Sequence, residues 1–262
     1  MAKVIDLNGN AVSEIKLPDV FSTKYKPAVI KKAFLALQSA SRQPYGADPL
    51  AGKRSSAHYH GRRKYRFTMM NKEMARISRL HGKVGYLAMR ARVVPQAVKG
   101  RQAHPPKAEK IWLQKINKKE NAVAIKSALA ASSNIKLVEK RHKLSKVEIP
   151  VIVVNAFENL NKTKEVASFL EKLLKEEMKR CSKRKIKAGR GKMRNRRYRK
   201  KKGPLIIASK ECALLKSARN IPGIDAVDVG GININLLAPG AQAGRLTIIT
   251  EAALEALANQ FR

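Results

Sequence analysis

Apolar residues return every three or four positions in several parts of the chain, which is the spacing of one helix face. The clearest case is 161–178, where Val166, Leu170 and Leu173 belong to an apolar stripe and Lys and Glu occupy the other side. A second stripe follows Pro27, a residue suited to the first position of a helix. The pattern predicts helices after Pro27 and over 122–131, 161–178, 210–219 and 251–261.

Short continuous apolar runs predict the strands. The segments 149–154, 205–208 and 246–250 are rich in β-branched and other apolar residues, as in strands that are buried on both faces. The run 135–138 is a shorter candidate. Because helical segments follow each of the three main runs, the alternation predicts an α/β fold. We expect a parallel sheet with helices on both faces, a three-layer α/β/α arrangement.

Residues 42–110 interrupt this rhythm. Leu, Ile, Val and Phe fill only nine of these 69 positions, below the roughly 20% that accompanies a core of the segment's own. Only 71–81 shows helical spacing, and both ends of the segment adjoin helical sequence. A long irregular stretch inside a domain is usually functional or disordered. We therefore predict a single globular domain over 1–41 and 111–262, carrying an extended basic internal loop over 42–110.

The charge of the chain is concentrated in two places. The sequence has 56 Lys and Arg against 19 Asp and Glu, a formal net charge of +37. Residues 42–110 carry +14 of this, and residues 179–202, which contain no acid, carry +15. Because so much positive charge repels itself, a polyanion is the expected partner, and we expect no homo-oligomer. The two basic stretches are the candidate binding segments.

Several classes of protein are excluded. Cys181 and Cys212 are the two cysteines, too few for a disulfide framework or a four-ligand cysteine zinc site. No run approaches the roughly 20 apolar residues that span a membrane, so no membrane partner is expected. The first residues have no apolar signal-peptide core, which indicates a chain that stays in the reducing cytoplasm.

Basic and aromatic residues are interleaved in the first segment. Lysine and arginine neutralise phosphates, and Tyr or Phe rings stack on unpaired bases, so the mixture is typical of RNA binding. The candidates there are Lys53, Arg54, Tyr59, Arg62, Arg63, Lys64, Tyr65, Arg66, Arg76, Arg79, Arg90, Arg92 and Arg101, with Phe67 and Tyr86 as further rings. The second segment adds Lys185, Lys187, Arg190, Lys192, Arg194, Arg196, Arg197, Tyr198 and Arg199. A solvated, disordered basic loop is the alternative interpretation of the first segment.

No catalytic constellation emerges from the sequence. The glycines at 189–191 lack the third glycine of the dinucleotide fingerprint and follow no strand. His58 and His60 have no nearby Cys or carboxylate to complete a metal site. Asp225 and Asp228 are interpreted as solvated loop acids. We therefore predict no catalytic residue, no cofactor and no metal.

A family resemblance is carried by three stretches: 43–54 (QPYGADPLAGKR), 94–107 (VPQAVKGRQAHPPK) and 185–192 (KIKAGRGK). They closely resemble the universal large-subunit ribosomal protein four, the L-four family, in its archaeal/eukaryotic form. Shorter likenesses at 127–131 and 244–247 extend the similarity over nearly the whole chain, in the same order. Eukaryotic members have a long C-terminal extension that is missing here, which favours the archaeal type.

The resemblance implies a structural protein of the large ribosomal subunit, in the cytoplasm, that binds large-subunit rRNA and neighbouring ribosomal proteins and contributes to subunit assembly. It also implies that the internal loop threads through rRNA to the exit tunnel, with the nascent peptide near its tip. The matching positions of the family are Lys53, Arg54, Arg101, His104 and Lys107, together with 185–192. Residues 56–92 depart from the family pattern, so no tunnel-lining residue is assigned.

Two other functions stay open at this point. An RNA-modifying enzyme would combine an α/β cofactor domain with basic RNA-capture segments. It needs a phosphate or methyl-donor loop at the carboxyl end of a strand, and the glycines of this chain are wrongly spaced for one. A regulator that binds its own messenger RNA is the third function, and it is compatible with a place in the ribosome.

Overall fold

The computed structural model describes residues 2–81, 85–144 and 147–261. The chain divides into two units, which we name the sheet unit (Met1–Ser41 with Leu113–Arg262) and the inserted unit (Arg42–Trp112). The inserted unit therefore ends at Trp112, whereas the sequence pattern placed the end of the loop at 110. Among the described residues, no helix is both long and apolar enough to cross a membrane.

The described part of the sheet unit contains eight strands and seven helices. The strands are β1 (Ala2–Ile5), β2 (Ala11–Ile15), β3 (Val151–Val153), β4 (Lys185–Ile186), β5 (Tyr198–Arg199), β6 (Leu205–Ala208), β7 (Asp225–Asp228) and β8 (Thr247–Thr250). The helices are α1 (Pro27–Ala40), α2 (Lys118–Ser132), α3 (Ile135–Glu139), α4 (Thr163–Ser182), α5 (Ala213–Ala218), α6 (Ile234–Leu237) and α7 (Glu251–Gln260). Short 3-10 turns lie at Asp19–Ser22, Asn155–Asn159, Arg190–Arg194 and Pro239–Ala241.

Six strands form one sheet in the order β2-β1-β3-β8-β6-β7. The neighbours from β1 to β7 are parallel, and β1 and β2 are antiparallel. The sheet is therefore mixed and mostly parallel, which agrees with the predicted α/β class and corrects the prediction of a parallel sheet. The antiparallel edge arises because the chain reverses between Asp6 and Asn10, where Gly9 adopts φ +94°. Since β2 is mostly exposed, it lacks the continuous apolar run by which the central strands were predicted.

The central strands are buried on both faces, as their apolar runs predicted. Ile152, Ile207 and Ile249 belong to one hydrophobic cluster, and Ile206 and Ile248 belong to another. The first cluster contains residues of α1, α2, α6 and α7, including Ile30, Leu129, Leu237 and Leu254, and the second contains residues of α3, α4 and α5, including Val138, Leu170 and Leu214. Each fully buried aliphatic side chain contributes about 1.5–3 kcal/mol of transfer free energy. These two clusters fix the helices of the sheet unit against its sheet.

One predicted element is wrong, and the helical spacing at 71–81 does not produce a helix. The run 135–138 is the helix α3, because the Asn134 side chain accepts a hydrogen bond from the Lys136 amide and caps the helix. Ile135 is 53% exposed there, so the run is not buried on both faces. The segment 71–81 forms turns and bends instead of a helix, and Asn71 adopts φ 52°, outside the helical region.

The other helices were located correctly, with shifted ends. The strongest stripe extends to Ser182 in α4, past the predicted end at 178. The helix predicted over 210–219 begins only at Ala213. In α1, Pro27 occupies the first turn, where its missing N–H costs no helical hydrogen bond.

Candidate nucleic-acid interface

The second basic stretch is a hairpin. Strands β4 and β5 pair Lys185 with Arg199 and Ile186 with Tyr198. The pairing continues beyond the strands, since the Lys187 amide donates to the Arg197 carbonyl at 2.9 Å. At the tip Asn195 adopts a left-handed conformation, φ 58°, which Asn tolerates better than most residues. We name residues 183–202 the basic hairpin; the sequence alone indicated no local structure in this segment.

Most of the candidate side chains of the basic hairpin face solvent. The predicted positions Lys185, Arg190, Lys192, Arg194, Arg196, Arg197, Tyr198 and Arg199 are exposed, and Lys187 is half-buried. Because 183–202 contains no acid, these charges have no counterion within the hairpin. The Tyr198 ring is 48% exposed, with the guanidinium carbons of Arg184 and Arg197 6.0 and 5.8 Å from its centroid. This combination can neutralise phosphates and stack a base.

The hairpin is anchored at its root by a buried network. The Arg180 guanidinium donates to the Lys202 carbonyl at 2.7 Å and forms an ion pair with the buried carboxylate of Glu177. Glu177 also accepts hydrogen bonds from His142 Nδ1 and from the Lys143 amide. Burial opposes the charged form, but these hydrogen bonds prevail and hold the pKa of Glu177 at about 2. The charge of Glu177 is thereby kept, and it fixes the end of α4 against the hairpin.

A second anchor holds Gly203 and Pro204, where the chain leaves the hairpin and enters β6. Arg245 is fully buried and donates to the carbonyls of Gly203, Pro204 and Leu236 at 2.8–3.2 Å. Its guanidinium also lies 2.7 Å from the Asp225 carboxylate, which accepts from Lys202 as well. Asp225 is therefore a structural ion-pair partner, and its interpretation as a solvated loop acid was wrong. The ion pair could not be predicted from the sequence, because Arg245 lies 20 residues beyond Asp225 and only folding brings the two together.

In the inserted unit, most candidate residues are also exposed. The exposed ones are Lys53, Arg54, Tyr59, Arg62, Arg63, Lys64, Tyr65, Arg66, Arg76, Arg90, His104 and Lys107, with Tyr86. Arg54 pairs with Asp48 at 2.7 Å, beside a turn in which the Leu50 amide donates to the Asp48 side chain. Since both partners of the pair are solvent-exposed, it leaves Arg54 accessible to a phosphate.

Three predicted contact residues of the inserted unit are half-buried: Arg79, Arg92 and Arg101. The Arg79 guanidinium donates to the carbonyls of Met89 and Ala75 at 2.9 and 3.1 Å. Arg92 donates to the carbonyls of Ala91 and Val98. Because these N–H groups are used within the unit, Arg79 and Arg92 organise its backbone.

Trp112 is a feature of the inserted unit that the sequence analysis missed. Tyr45 stacks on its ring at 5.7 Å with an interplanar angle of 20°. Cations from Arg42 and Lys110 lie 4.3 and 4.6 Å from the ring centroid. The residues join the two ends of the unit, 42–45 and 110–112. Trp112 is the single tryptophan of the chain and has basic residues nearby, which could have marked it as a candidate for RNA stacking. It was not considered because it lies just outside the loop predicted over 42–110.

The carboxyl edge of the sheet is where an α/β enzyme would hold a cofactor. Here the Glu158 carboxylate fills the ends of β6 and β8, accepting from the Ser209 amide and hydroxyl and from the Thr250 hydroxyl at 2.6–2.8 Å. The first amides of α7 donate to the side chains of Asn155 and Thr250. The Ala252 and Ala253 amides at the start of α7 are thereby occupied within the chain.

Comparison with known proteins shows the family of this chain. A model of the Ribosomal protein L4/L1 family matches residues 15–260. The chain belongs to this family. It is 45% identical to large ribosomal subunit protein uL4 of Archaeoglobus fulgidus, over 98% of this chain and 97% of that protein. It is 47% identical to the uL4 of Nanoarchaeum equitans over 96% and 95% of the two chains, and 45% identical to that of Methanocaldococcus jannaschii over 99% of both.

The family assignment settles two predictions. The resemblance to an archaeal-type member of the L4 family is confirmed, since these relatives are archaeal and match over nearly their full length. As a member of a family of ribosomal proteins, the chain is a structural protein and not an enzyme. The RNA contacts of the individual basic residues stay predictions.

Proposed function

We propose that this protein is a structural component of the large ribosomal subunit, working in the cytoplasm, and that it binds large-subunit rRNA with the basic hairpin and the exposed cations of the inserted unit. The observation that carries the proposal is the hairpin: its exposed cations have no acid within 183–202 and surround a half-exposed Tyr198. Membership of the L4/L1 family supports the choice of rRNA as the polyanion.

The two units have different parts in this proposal. The sheet unit presents the basic hairpin from a root that is held by two ion pairs, Arg180 with Glu177 and Arg245 with Asp225. The inserted unit acts as the extended loop, passing between rRNA helices toward the exit tunnel, where it comes near the nascent peptide. Neighbouring ribosomal proteins cover further surface, and the protein contributes to assembly of the subunit. The helices of the sheet unit form one layer on each side of the sheet, which the two hydrophobic clusters support.

The salt dependence of rRNA binding tests the proposal. Each phosphate contact contributes roughly 0.7–0.9 to the slope of log affinity against log salt. We expect the triple replacement of Arg190, Arg194 and Arg197 with Gln to make the negative slope less steep by about 2–3. Binding to a large-subunit rRNA should also weaken by at least about tenfold. The affinity is measured by fluorescence anisotropy at several salt concentrations.

A matched control carries the same loss of charge elsewhere on the sheet unit. Lys164, Lys172 and Lys175 are exposed on α4, outside the basic hairpin, so changing all three to Gln should leave the slope almost unchanged. Equal losses in the two triple variants would show that overall charge alone attracts the RNA, and the hairpin would no longer be the interface. Binding that does not depend on salt would contradict the proposal altogether.

A further inference from the structure

Three histidines meet in the inserted unit, and RNA binding does not explain their arrangement. The ring centroids of His58, His60 and His81 are separated by 4.1–4.6 Å. One ring nitrogen of each lies within 4.8 Å of those of the other two. The first two come from one stretch of chain, and the third lies 21 residues beyond His60. Because His81 is distant in sequence, His58 and His60 alone had predicted no metal site.

Hydrogen bonds to backbone carbonyls determine which ring nitrogens of His58 and His60 carry no proton. A carbonyl only accepts, so His60 Nε2 must carry the proton it shares with the Arg79 carbonyl at 3.1 Å. His58 Nδ1 likewise donates to the Ser56 carbonyl at 3.2 Å. In the neutral rings, His60 Nδ1 and His58 Nε2 are then left with bare lone pairs. Fixing a histidine tautomer from its far nitrogen is what outer-shell partners do for metal ligands.

The three rings converge, and His81 Nε2 is the hydrogen-bond partner of His58 Nε2. His60 is 3% exposed, and its Nδ1 has no hydrogen-bond partner among the described residues. His81 Nε2 lies 3.0 Å from His58 Nε2. At this distance one of the two nitrogens must carry a proton, because two unprotonated nitrogens would repel each other. Leaving a buried acceptor unsatisfied costs about 1–3 kcal/mol. A cation between the three rings would satisfy all of these lone pairs at once.

The backbone holds the three ligands in place. His58 and Arg79 exchange backbone hydrogen bonds at 3.0 and 3.2 Å, which ties the first ligand pair to the segment that leads to His81. The Met69 amide donates to the His60 carbonyl, and Met69 is fully buried. Tyr65 and Phe67 pack edge-on against His81 at 5.8 and 5.4 Å. The cluster is therefore part of the folded inserted unit.

We propose that His58, His60 and His81 bind one divalent transition-metal ion, with Zn²⁺ as the ion that fits best. Imidazole nitrogen is a preferred zinc ligand, at about 2.0–2.1 Å. Three protein ligands leave a fourth tetrahedral position for a solvent oxygen, on the side where His58 is exposed. The ion joins 58–60 to His81 and so cross-links the inserted unit, which has no helix or strand in its described residues to hold it together.

Direct titration of the full-length protein tests the site. The protein is freed of RNA at high salt and of metal by a chelator, and Zn²⁺ is added in competition with a chromophoric chelator. We expect one ion per chain. Changing His58 or His81 to Gln should weaken binding by at least about tenfold, the lower limit for losing even an outer-shell partner. The matched control is His104→Gln, which removes an exposed histidine of the same unit and should leave the affinity unchanged.

Cobalt identifies the ligands independently of affinity. Co²⁺ should produce the visible d–d bands of a tetrahedral nitrogen site in the wild type and in His104→Gln, and these bands should be lost in His81→Gln. No thiolate charge-transfer band is expected, because Cys181 and Cys212 lie outside the inserted unit. Equal affinity in all three variants, or a thiolate band at full occupancy, would overturn the proposal.

Proteolysis reports the structural role. Zn²⁺ should slow trypsin cleavage between Arg62 and Arg92 in the wild type and in His104→Gln, with no effect in His81→Gln. Circular dichroism of each variant verifies that the sheet unit is folded. Protection by Zn²⁺ that is the same in His81→Gln as in the wild type would contradict the cross-link.

Discussion

The guanidinium of Arg245 and the carboxylate of Asp225 form an ion pair at 2.7 Å. Asp225 begins β7 and Arg245 lies two residues before β8, so the pair joins the starts of the two strands that flank β6. Arg245 is fully buried, and its other N–H groups are used by backbone carbonyls of the chain that leaves the basic hairpin. Asp225 also pairs with Lys202, the last residue of that hairpin. A buried arginine and a half-buried carboxylate thus position the basic hairpin, which contains no acidic residue.

Removing the carboxylate should destabilise the sheet unit strongly. Asp225→Asn leaves the buried Arg245 without its counterion, and breaking such a pair costs about 3–5 kcal/mol. We expect the free energy of unfolding to fall by about 3 kcal/mol in urea denaturation at pH 7, because Asp225 is 25% exposed and water compensates in part. The control is Asp48→Asn, which removes an exposed pair with Arg54 and should cost less than about 1 kcal/mol. Similar costs for the two variants would contradict a structural role for Asp225.

Stability should decrease in two steps as the pH falls. Burial chiefly lowers the pKa of His142 below its ordinary value of 6.5, and Glu177 has a pKa of about 2 against an ordinary 4.5. In both cases the pKa is lower in the folded chain, so between the two pKa values the unfolded chain binds more protons than the folded chain does. The free energy of unfolding therefore rises with pH in that range. The stabilisation from Glu177 is complete above about 4.5 and is lost toward about 2.

Urea midpoints measured from pH 7 to pH 3 check this dependence. Glu177→Gln should reduce the slope below about pH 4.5, because the contribution of this carboxylate is lost while that of Asp225 stays. Glu165→Gln, at an exposed position of the same helix α4, should retain it. If Glu177→Gln kept the wild-type slope below this pH, the carboxylate would not be the group that titrates.

The ring of Tyr198 should contribute to RNA affinity through stacking. Loss of one aromatic platform costs about 1–3 kcal/mol per base, so Tyr198→Ala should weaken rRNA binding by about 5- to 150-fold. Tyr198→Phe keeps the ring and should bind nearly as the wild type does. Tyr25→Ala removes a comparably exposed ring of the sheet unit outside the hairpin and serves as the control. An equal loss in Tyr198→Phe would assign the effect to the hydroxyl instead of the ring.

A glycine in the inserted unit tests its local order. Gly52 adopts φ +75°, and a Cβ there would lie 2.6 Å from the backbone of Arg101. Gly52→Ala should therefore open this part of the unit and increase the rate of trypsin cleavage at Lys53 and Arg54 about tenfold, since cleavage follows the population of the open state. Gly189→Ala, where a Cβ meets nothing within 4 Å, should leave that rate unchanged. An unchanged rate in Gly52→Ala would mean that the segment is already open.

The basic segments and the central strands could be read from local sequence. The strands β3, β6 and β8 were predicted because each is a run of apolar residues that is buried on both faces, as Ile206 and Ile207 illustrate. The strand β1 was not predicted, since its burial is interrupted at Lys3. The edge strand β2 and the helix α3 were missed or mistaken, because the edge strand is mostly exposed and a single capping side chain, Asn134, makes the short run helical. Local patterns fail where burial is incomplete.

The amino-acid sequence was sufficient to establish the α/β class, the concentration of +29 in two segments, and the family resemblance, since each depends on neighbouring residues or on composition. Folding was required to bring Arg245 to Asp225, to pair β4 with β5 and to gather His81 with His58 and His60. The physical reason is that burial and a partner distant in sequence decide the role of a charge or an imidazole. Composition records neither of them.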